Sequence, residues 1–159
     1  TTSKIASFFD ENYFSHGHTY EAHPITLAPA IAAIAEMRRM NLVDRAKELG
    51  GYLKEKLNAL KPKHPSIGEV RGLGLFWAVE LVKNQKSREP FNTKQDKVDG
   101  IQSVVEKVAA EMMKNGVFLQ AWISHFVIAP PLIVSKEEID IGVAALDSAL
   151  SIADAQVIV

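Results

Sequence analysis

The 159-residue sequence contains no cysteine, and this absence excludes disulfide bonds, thiolate nucleophiles and cysteine-ligated zinc sites. It also favours a reducing compartment, so we expect a cytoplasmic protein. A surplus of one charge is missing as well. The 18 basic and 19 acidic side chains leave a net charge of −1, which argues against a nucleic-acid partner or an anionic lipid surface. No apolar run approaches the roughly 20 residues of a membrane-spanning helix, so we expect no membrane partner.

Apolar periodicity is present in two forms, one typical of helices and one typical of strands. Leucine and alanine recur at spacings of three and four from residue 42 to residue 60, which predicts a long helix. Further helices are predicted after Pro24, near residues 101–114 and after Ser135. A strand is predicted over residues 75–82, where every second side chain points to the same face. Its buried face is expected to consist of Leu75, Trp77, Val79 and Leu81.

The predicted order of elements is helix, helix, two strands, helix, two strands, helix. Because the strands are grouped in pairs between helices, the predicted fold class is α+β, with a small, mainly antiparallel sheet covered by helices on one face. The polar segment 83–97 predicts a loop. A capping box of Ser135 and Glu138 opens the last helix. The helix before it is expected to bury one stripe, formed by Ile101, Val104, Val105, Val108 and Met112.

The segment FSHGHTYEAHP, residues 14–24, concentrates histidine and hydroxyl side chains without a hydrophobic period. A phosphate-binding loop agrees with this segment, because Gly17 allows close approach, Thr19 offers a hydroxyl, and a helix N-terminus follows. An ordinary turn capped by Thr19 is the simplest alternative. A zinc site is a third alternative, although the spacing of its possible ligands is not typical of one. Those possible ligands are His16, His18 and His23.

Two further motifs have structural explanations. The glycines of VRGLGLFW, residues 70–77, do not follow the dinucleotide-binding spacing and are expected at a tight strand junction. Arg71 in this stretch is expected to form a structural ion pair. Ser124, His125 and the distant Asp140 are the residue types of a catalytic triad, but no nucleophile-elbow motif supports one.

Three segments in chain order, HGHTYEAHP, VRGLGLFWAVEL and VIAPPLIVSKEEID, resemble the C-terminal part of class III aminotransferases. These are pyridoxal 5'-phosphate (PLP) enzymes of fold type I, and they include ω-amino acid:pyruvate and taurine:pyruvate transaminases. The resemblance extends over nearly the whole chain. It implies that residues 1–40 end a large domain, with a phosphate-contacting loop and the start of an interdomain helix. Residues 41–159 would then be the small C-terminal domain.

The resemblance also implies a homodimer whose active sites are shared between subunits. Thr19, with His18 beside it, would contact the phosphate of the cofactor bound to the partner subunit. One position departs from the family pattern, since Ala22 stands where a glycine is common. Because alanine disfavours a positive φ, we expect the turn at this position to differ.

A second departure concerns the substrate. Many relatives carry an arginine shortly before the PPL segment, which binds a carboxylate through two hydrogen bonds, and Gln120 occupies that position here. A carboxylate would then be bound by another cation, such as Arg71 or one outside this chain. Alternatively, the pocket favours a different acid group, such as a sulfonate, or recognises the acid group through Trp122 and His125. From the sequence alone, Trp122 is either a core residue or part of a pocket wall.

The function that the resemblance implies is transfer of an amino group from an ω-amine or ω-amino acid to pyruvate. The donors considered are taurine, β-alanine, 4-aminobutyrate and diamines. The lysine that holds the cofactor as a Schiff base is expected upstream of Thr1, so we expect no catalytic residue in this chain, no metal, and no activity of the chain alone. The alternative is a stand-alone α+β module that binds a protein partner or an anion without catalysis.

Overall fold

The computed structural model describes residues 1–158, which form two compact units. The first unit is Thr1–Met40, and the second begins at Asn41. Within the described residues, no helix combines the length and the apolar character that crossing a bilayer requires.

The first unit consists of two helices joined by the histidine-rich segment. Helix α1 (Ser3–Glu11) begins after Thr2, whose hydroxyl accepts a hydrogen bond from the backbone N–H of Ile5. Helix α2 (Pro24–Arg39) begins at its proline, as predicted, because a first-turn residue needs no N–H. None of the residues in this unit is buried.

The second unit is built from helices and an antiparallel sheet. Its elements are α3 (Leu42–Leu60), β1 (Ile67–Leu73), β2 (Phe76–Asn84), β3 (Glu89–Pro90), α4 (Lys94–Val98), α5 (Val104–Lys114), β4 (Gln120–Ala121), β5 (His125–Ile128), α6 (Lys136–Ala149) and α7 (Ser151–Asp154). The strand order is β1-β2-β5-β4, and β3 pairs with β2. Helices α3 and α5 contact the sheet, and α6 packs against both of them. The predicted α+β class with an antiparallel sheet is confirmed.

The core of the second unit is formed where α3, α5 and α6 meet the sheet. Leu57 of α3, Val79 of β2 and Phe126 of β5 are completely buried there. The predicted leucine stripe of α3 is confirmed. The predicted buried face of this strand is confirmed too, since Leu75, just before β2, and Trp77, Val79 and Leu81 within it are at most 5% exposed.

Two local predictions are wrong. The polar segment 83–97 is not a plain loop, because it contains β3 and α4. Thr93 and Asp96 form a reciprocal capping box that starts α4 despite the lack of apolar residues. Ile101 does not belong to the buried stripe of α5, because it precedes the N-cap residue Ser103 and is 53% exposed. Capping side chains set both of these boundaries, and apolar spacing does not reveal them.

Gly50 of α3 packs against the turn between β1 and β2. A Cβ atom added at Gly50 would lie closer than 3.0 Å to the backbone of Gly74. This turn is held in place, because the indole N–H of Trp77 donates to the Gly74 carbonyl oxygen at 2.6 Å. Gly74 has a φ of 55°, a conformation that glycine adopts without strain. The glycines of this stretch therefore do form a tight strand junction, as predicted.

A buried histidine that the sequence patterns did not reveal joins the α3–β1 connection to the last two helices. The two ring nitrogens of His64 lie 2.6 Å from the carboxylate of Asp154 and 2.7 Å from that of Asp147. The hydroxyl of Ser66 donates to Asp154 at 2.6 Å, and the Lys63 ammonium lies 3.0 Å from Asp147. Hydrogen bonds from His64 and then from Lys63 lower the pKa of Asp147.

The Gly50 contact predicts opposite effects for two neighbouring substitutions. Gly50→Ala is expected to lower the free energy of unfolding by about 1–3 kcal/mol, because the added methyl group meets the Gly74 backbone. Gly51→Ala meets nothing within 4 Å and is expected to raise it by roughly 0.5–1 kcal/mol, since alanine is the better helix former. Urea unfolding followed by circular dichroism measures both values. Equal effects of the two substitutions would contradict this account of the packing.

The network around His64 predicts a loss of stability in acid. Because the folded pKa of Asp147 is lowered, its contribution is complete above the unfolded value of about 3.9 and is lost as the pH falls through the folded pKa. Asp147→Asn is therefore expected to destabilise the chain at pH 7, and the difference from the wild type is expected to shrink below about pH 4. The control is Glu55→Gln on the exposed side of α3. If urea unfolding shows a constant difference between the wild type and Asp147→Asn from about pH 7 to about pH 3, the prediction is contradicted.

Candidate functional site

The segment between α1 and α2 forms two successive turns that bring Thr19 to the surface. The backbone N–H of Glu21 donates to the carbonyl of His18 at 2.9 Å, and that of His23 donates to the carbonyl of Tyr20 at 3.3 Å. Thr19 lies inside the first of these turns, and both Thr19 and His18 are exposed. Within residues 1–158, no hydrogen bond engages the Thr19 hydroxyl. This hydroxyl is therefore available to a partner from outside the chain.

The N-terminus of α2 does not supply the free N–H groups that we expected for an anion. His23 is the N-cap residue, and its Nδ1 accepts from the backbone N–H of Ile25 at 3.3 Å. The next two N–H groups, of Thr26 and Leu27, donate to the carbonyl of His23 at 3.0 and 3.1 Å. Pro24 has no N–H to offer. The first turn of α2 is thus satisfied by its own cap, so an anion would be bound by groups that precede α2, among them the Thr19 hydroxyl.

The three histidines of the segment serve different purposes. The rings of His16 and His18 contact each other edge to face, with centroids 4.9 Å apart, while His23 caps α2. Across the described residues, no group of three or more histidine, aspartate or glutamate side chains is arranged to hold a metal ion. The geometry therefore does not support the zinc alternative.

Ala22 adopts the conformation that glycine would provide. Its φ is 55°, a left-handed conformation that glycine adopts without strain, and the expected difference of this turn from the family pattern stays a prediction. A left-handed conformation costs an alanine roughly 1–2 kcal/mol. The His23 N–H bond to Tyr20 and the cap that His23 provides to α2 hold this geometry on the C-terminal side.

The two predicted substrate residues lie near each other on the chain but border different cavities. Gln120 is exposed and lines a largely apolar cavity of about 410 Å³ between the sheet and α6. Trp122 is 48% exposed and borders a separate cavity of about 10 Å³. Its ring stacks on His125 with centroids 6.4 Å apart and an interplanar angle of 13°. Trp122 is therefore a surface residue and not part of the core.

Arg71, the cation that the sequence offered for a substrate carboxylate, is already paired. Its guanidinium lies 2.5 Å from Glu80 on the neighbouring strand and 3.2 Å from Glu69. The prediction of a structural ion pair is confirmed. Because two carboxylates share this guanidinium, Arg71 is a poor candidate for binding a substrate acid group.

The residues of the imagined catalytic triad do not come together. Asp140 accepts a hydrogen bond from the Tyr52 hydroxyl at 2.8 Å and pairs with Lys56 at 2.8 Å. The hydrogen bond from Lys56, then that from Tyr52, lowers the pKa of Asp140. His125 stacks instead on Trp122. The triad is thus replaced by a surface ion pair and an aromatic stack.

Sequence reasoning also missed a cation beside Trp122, one of the two predicted substrate residues. The Lys97 ammonium lies 5.7 Å from the centroid of the Trp122 ring, within the range of a cation–π interaction. The polar segment that contains this lysine has no apolar period, and the two residues are far apart in the chain. No pattern of single residues predicts such a contact.

Known proteins similar to this chain are aminotransferases. A family model described as aminotransferase class-III matches residues 1–150. An uncharacterised aminotransferase of Schizosaccharomyces pombe is 37% identical over 141 residues, which is 84% of this chain and 29% of the relative. The putrescine–pyruvate aminotransferase of Pseudomonas aeruginosa is 34% identical over 128 residues, which is 80% of this chain and 26% of the relative.

A solved structure supports the same assignment. The PLP-bound amine transaminase of an uncultivated Pseudomonas species superposes with a TM-score of 0.84 at 27% identity, covering 96% of this chain and 34% of its own. The present chain thus spans about a quarter to a third of the length of the proteins it matches. With a family model matched over residues 1–150, the chain belongs to the aminotransferase class-III family.

Proposed function

We propose that the chain is the C-terminal part of a PLP-dependent transaminase that transfers an amino group from an ω-amine or ω-amino acid to pyruvate. Taurine, β-alanine, 4-aminobutyrate and diamines are the candidate donors. The observation that carries this proposal is the family match over residues 1–150, and the name of the putrescine–pyruvate relative supports the donor class and the acceptor. A cytoplasmic location stays a prediction.

The residues of the first unit are compatible with a contact to the cofactor phosphate. Thr19 presents an exposed hydroxyl that no other group of residues 1–158 uses, and a hydroxyl donates readily to a phosphate oxygen. We assign Thr19, with His18 beside it, to the phosphate of a cofactor in the partner subunit. When bound, PLP supplies the electron sink and the carrier for the amino group. The role of this chain would be to hold the phosphate and to orient the donor.

A shared active site requires a homodimer, and the surface of the first unit supports one. Helix α2 is apolar around most of its circumference, which is typical of helices that are buried in the assembled protein. Ile25 and Ile31 on this helix are 77% and 70% exposed. We propose that the rest of the polypeptide and the second subunit cover this surface.

An interaction module without catalysis remains the second candidate. The aromatic rings of Phe8, Phe9 and Phe14 form an exposed chain of edge-to-face contacts, with centroids 5.2 and 4.9 Å apart. Such a cluster is also suited to binding a protein partner. Turnover by the complete polypeptide distinguishes the two candidates.

The complete enzyme is expected to transfer amino groups from taurine, β-alanine or putrescine to pyruvate, with alanine as the measured product. The 159-residue chain alone is expected to produce none, since the cofactor lysine is assigned to the segment upstream of Thr1. Absorbance of protein-bound PLP after gel filtration is the second readout. Failure of the complete enzyme with every ω-amine would sink the proposal, and PLP retained by the short chain would contradict the assigned position of the lysine.

Replacing Thr19 tests the contact to the phosphate. In the complete enzyme, Thr19→Val keeps the shape of the side chain but removes the hydroxyl, and PLP is expected to bind roughly 10- to 100-fold more weakly. Thr19→Ser keeps the hydroxyl and is expected to retain most of the affinity. The measurement is the dissociation of PLP during dialysis, followed by absorbance. Equal PLP affinities of the valine variant and the wild type would rule out this contact.

A further inference from the structure

Lys97 is a cation without an acidic partner on the surface of the second unit. Within residues 1–158, no carboxylate lies within ion-pair distance of its ammonium. Three acidic side chains that are close in the chain or line the same small cavity are engaged elsewhere. Asp96 accepts from the Thr93 N–H, Asp99 from Gln95, and Glu106 from Ser103.

The position of the Lys97 ammonium is defined by Trp122. The backbone N–H of Trp122 donates to the carbonyl of His125 at 2.8 Å, and the indole stacks on the His125 ring. The stack orients the half-exposed indole, and the Lys97 ammonium lies 5.7 Å from the ring centroid. A cation placed over an indole keeps its charge unneutralised, so it is still able to attract an anion.

The cavity that Lys97 and Trp122 border is too small for a substrate. Its volume of about 10 Å³ is about that needed for one water molecule. The hydroxyls of Thr93 and Ser103, which also line it, accept hydrogen bonds as helix caps. The cavity itself is therefore no substrate site, and Lys97 is exposed beside it.

We propose that Lys97, held over Trp122, binds the carboxylate or sulfonate of an ω-amino acid donor, and this inference rests on the proposed transaminase function. It names a cation that would bind the acid group of the donor, since Gln120 stands where many relatives carry an arginine. Gln120 has no charge, and the charge of Arg71 is shared by two glutamates. A lysine is a point charge without the planar fork of an arginine, so it does not require a planar, two-oxygen partner. The complete enzyme should then accept sulfonate and carboxylate donors alike.

The test compares donors with and without an acid group in the complete enzyme. Lys97→Met is expected to lower kcat/KM for taurine and for β-alanine by roughly two- to fivefold, mainly through KM, as an exposed charged contact is lost. The value for putrescine is expected to stay the same or rise, because the substitution removes a cation that repels a second ammonium group. Lys97→Arg keeps the charge, and kcat/KM for the acidic donors is expected to stay close to the wild-type value.

The matched control is Lys94→Met, on the same short helix but without an aromatic contact. This substitution should leave kcat/KM for all donors unchanged. An equal effect of Lys97→Met on taurine and putrescine, or none on either, overturns the role of Lys97. A wild-type enzyme that uses no ω-amine is a different outcome, since it overturns the proposed function. Trp122 fluorescence provides a readout without turnover, because taurine bound beside this ring is expected to quench it. The Trp122 signal is the difference in fluorescence between the wild type and Trp122→Phe. Quenching is expected in the wild type and absent in Lys97→Met, and its persistence in that variant also overturns the inference.

Discussion

The close approach of α3 to the sheet is the constraint on which the second unit depends. The leucine stripe of this helix meets the buried face of β2 and β5, and the helix backbone is able to come this near only because Gly50 has no side chain to meet Gly74. The indole of Trp77 secures the same turn by its hydrogen bond to the Gly74 carbonyl. Helices α5 and α6 complete the core, α5 by contacting the sheet and α6 by packing against both α3 and α5.

The first unit is not ordered by a buried core, because none of its residues is buried. Its order comes from local hydrogen bonds, which satisfy the backbone between α1 and α2 and at the start of α2. Those bonds use the side chain and carbonyl of His23, and they hold Ala22 in a left-handed conformation. Within residues 1–158, the Thr19 hydroxyl takes part in none of these bonds and is exposed in a defined turn, which suits a contact to a phosphate.

The charges of the second unit fall into two groups. Most of the cations near acidic side chains are already paired, as Arg71 is with Glu80 and Lys56 with Asp140. Such pairs join neighbouring elements and have little attraction left for a ligand. Lys97 is one of several lysines that have no carboxylate within ion-pair distance in the described residues, and it differs from the others because its ammonium lies over an aromatic ring. The distinction between a cation that supports the fold and one that is free to bind an anion therefore depends on the neighbour and not on the residue type.

The α+β class, the leucine stripe of α3, the buried face of β2 and membership in the aminotransferase class-III family could be inferred from the sequence, because periodicity indicates which face of an element is buried and the family motifs are contiguous in the chain. The folded structure was needed to show that Arg71 is paired, that Ala22 takes a glycine conformation, that His64 joins Asp147 and Asp154, and that Lys97 lies over Trp122. Most of these are side-chain contacts between residues far apart in the chain. A period of two or 3.6 residues tells where a side chain faces, but the packing of the elements alone selects the partner that it meets.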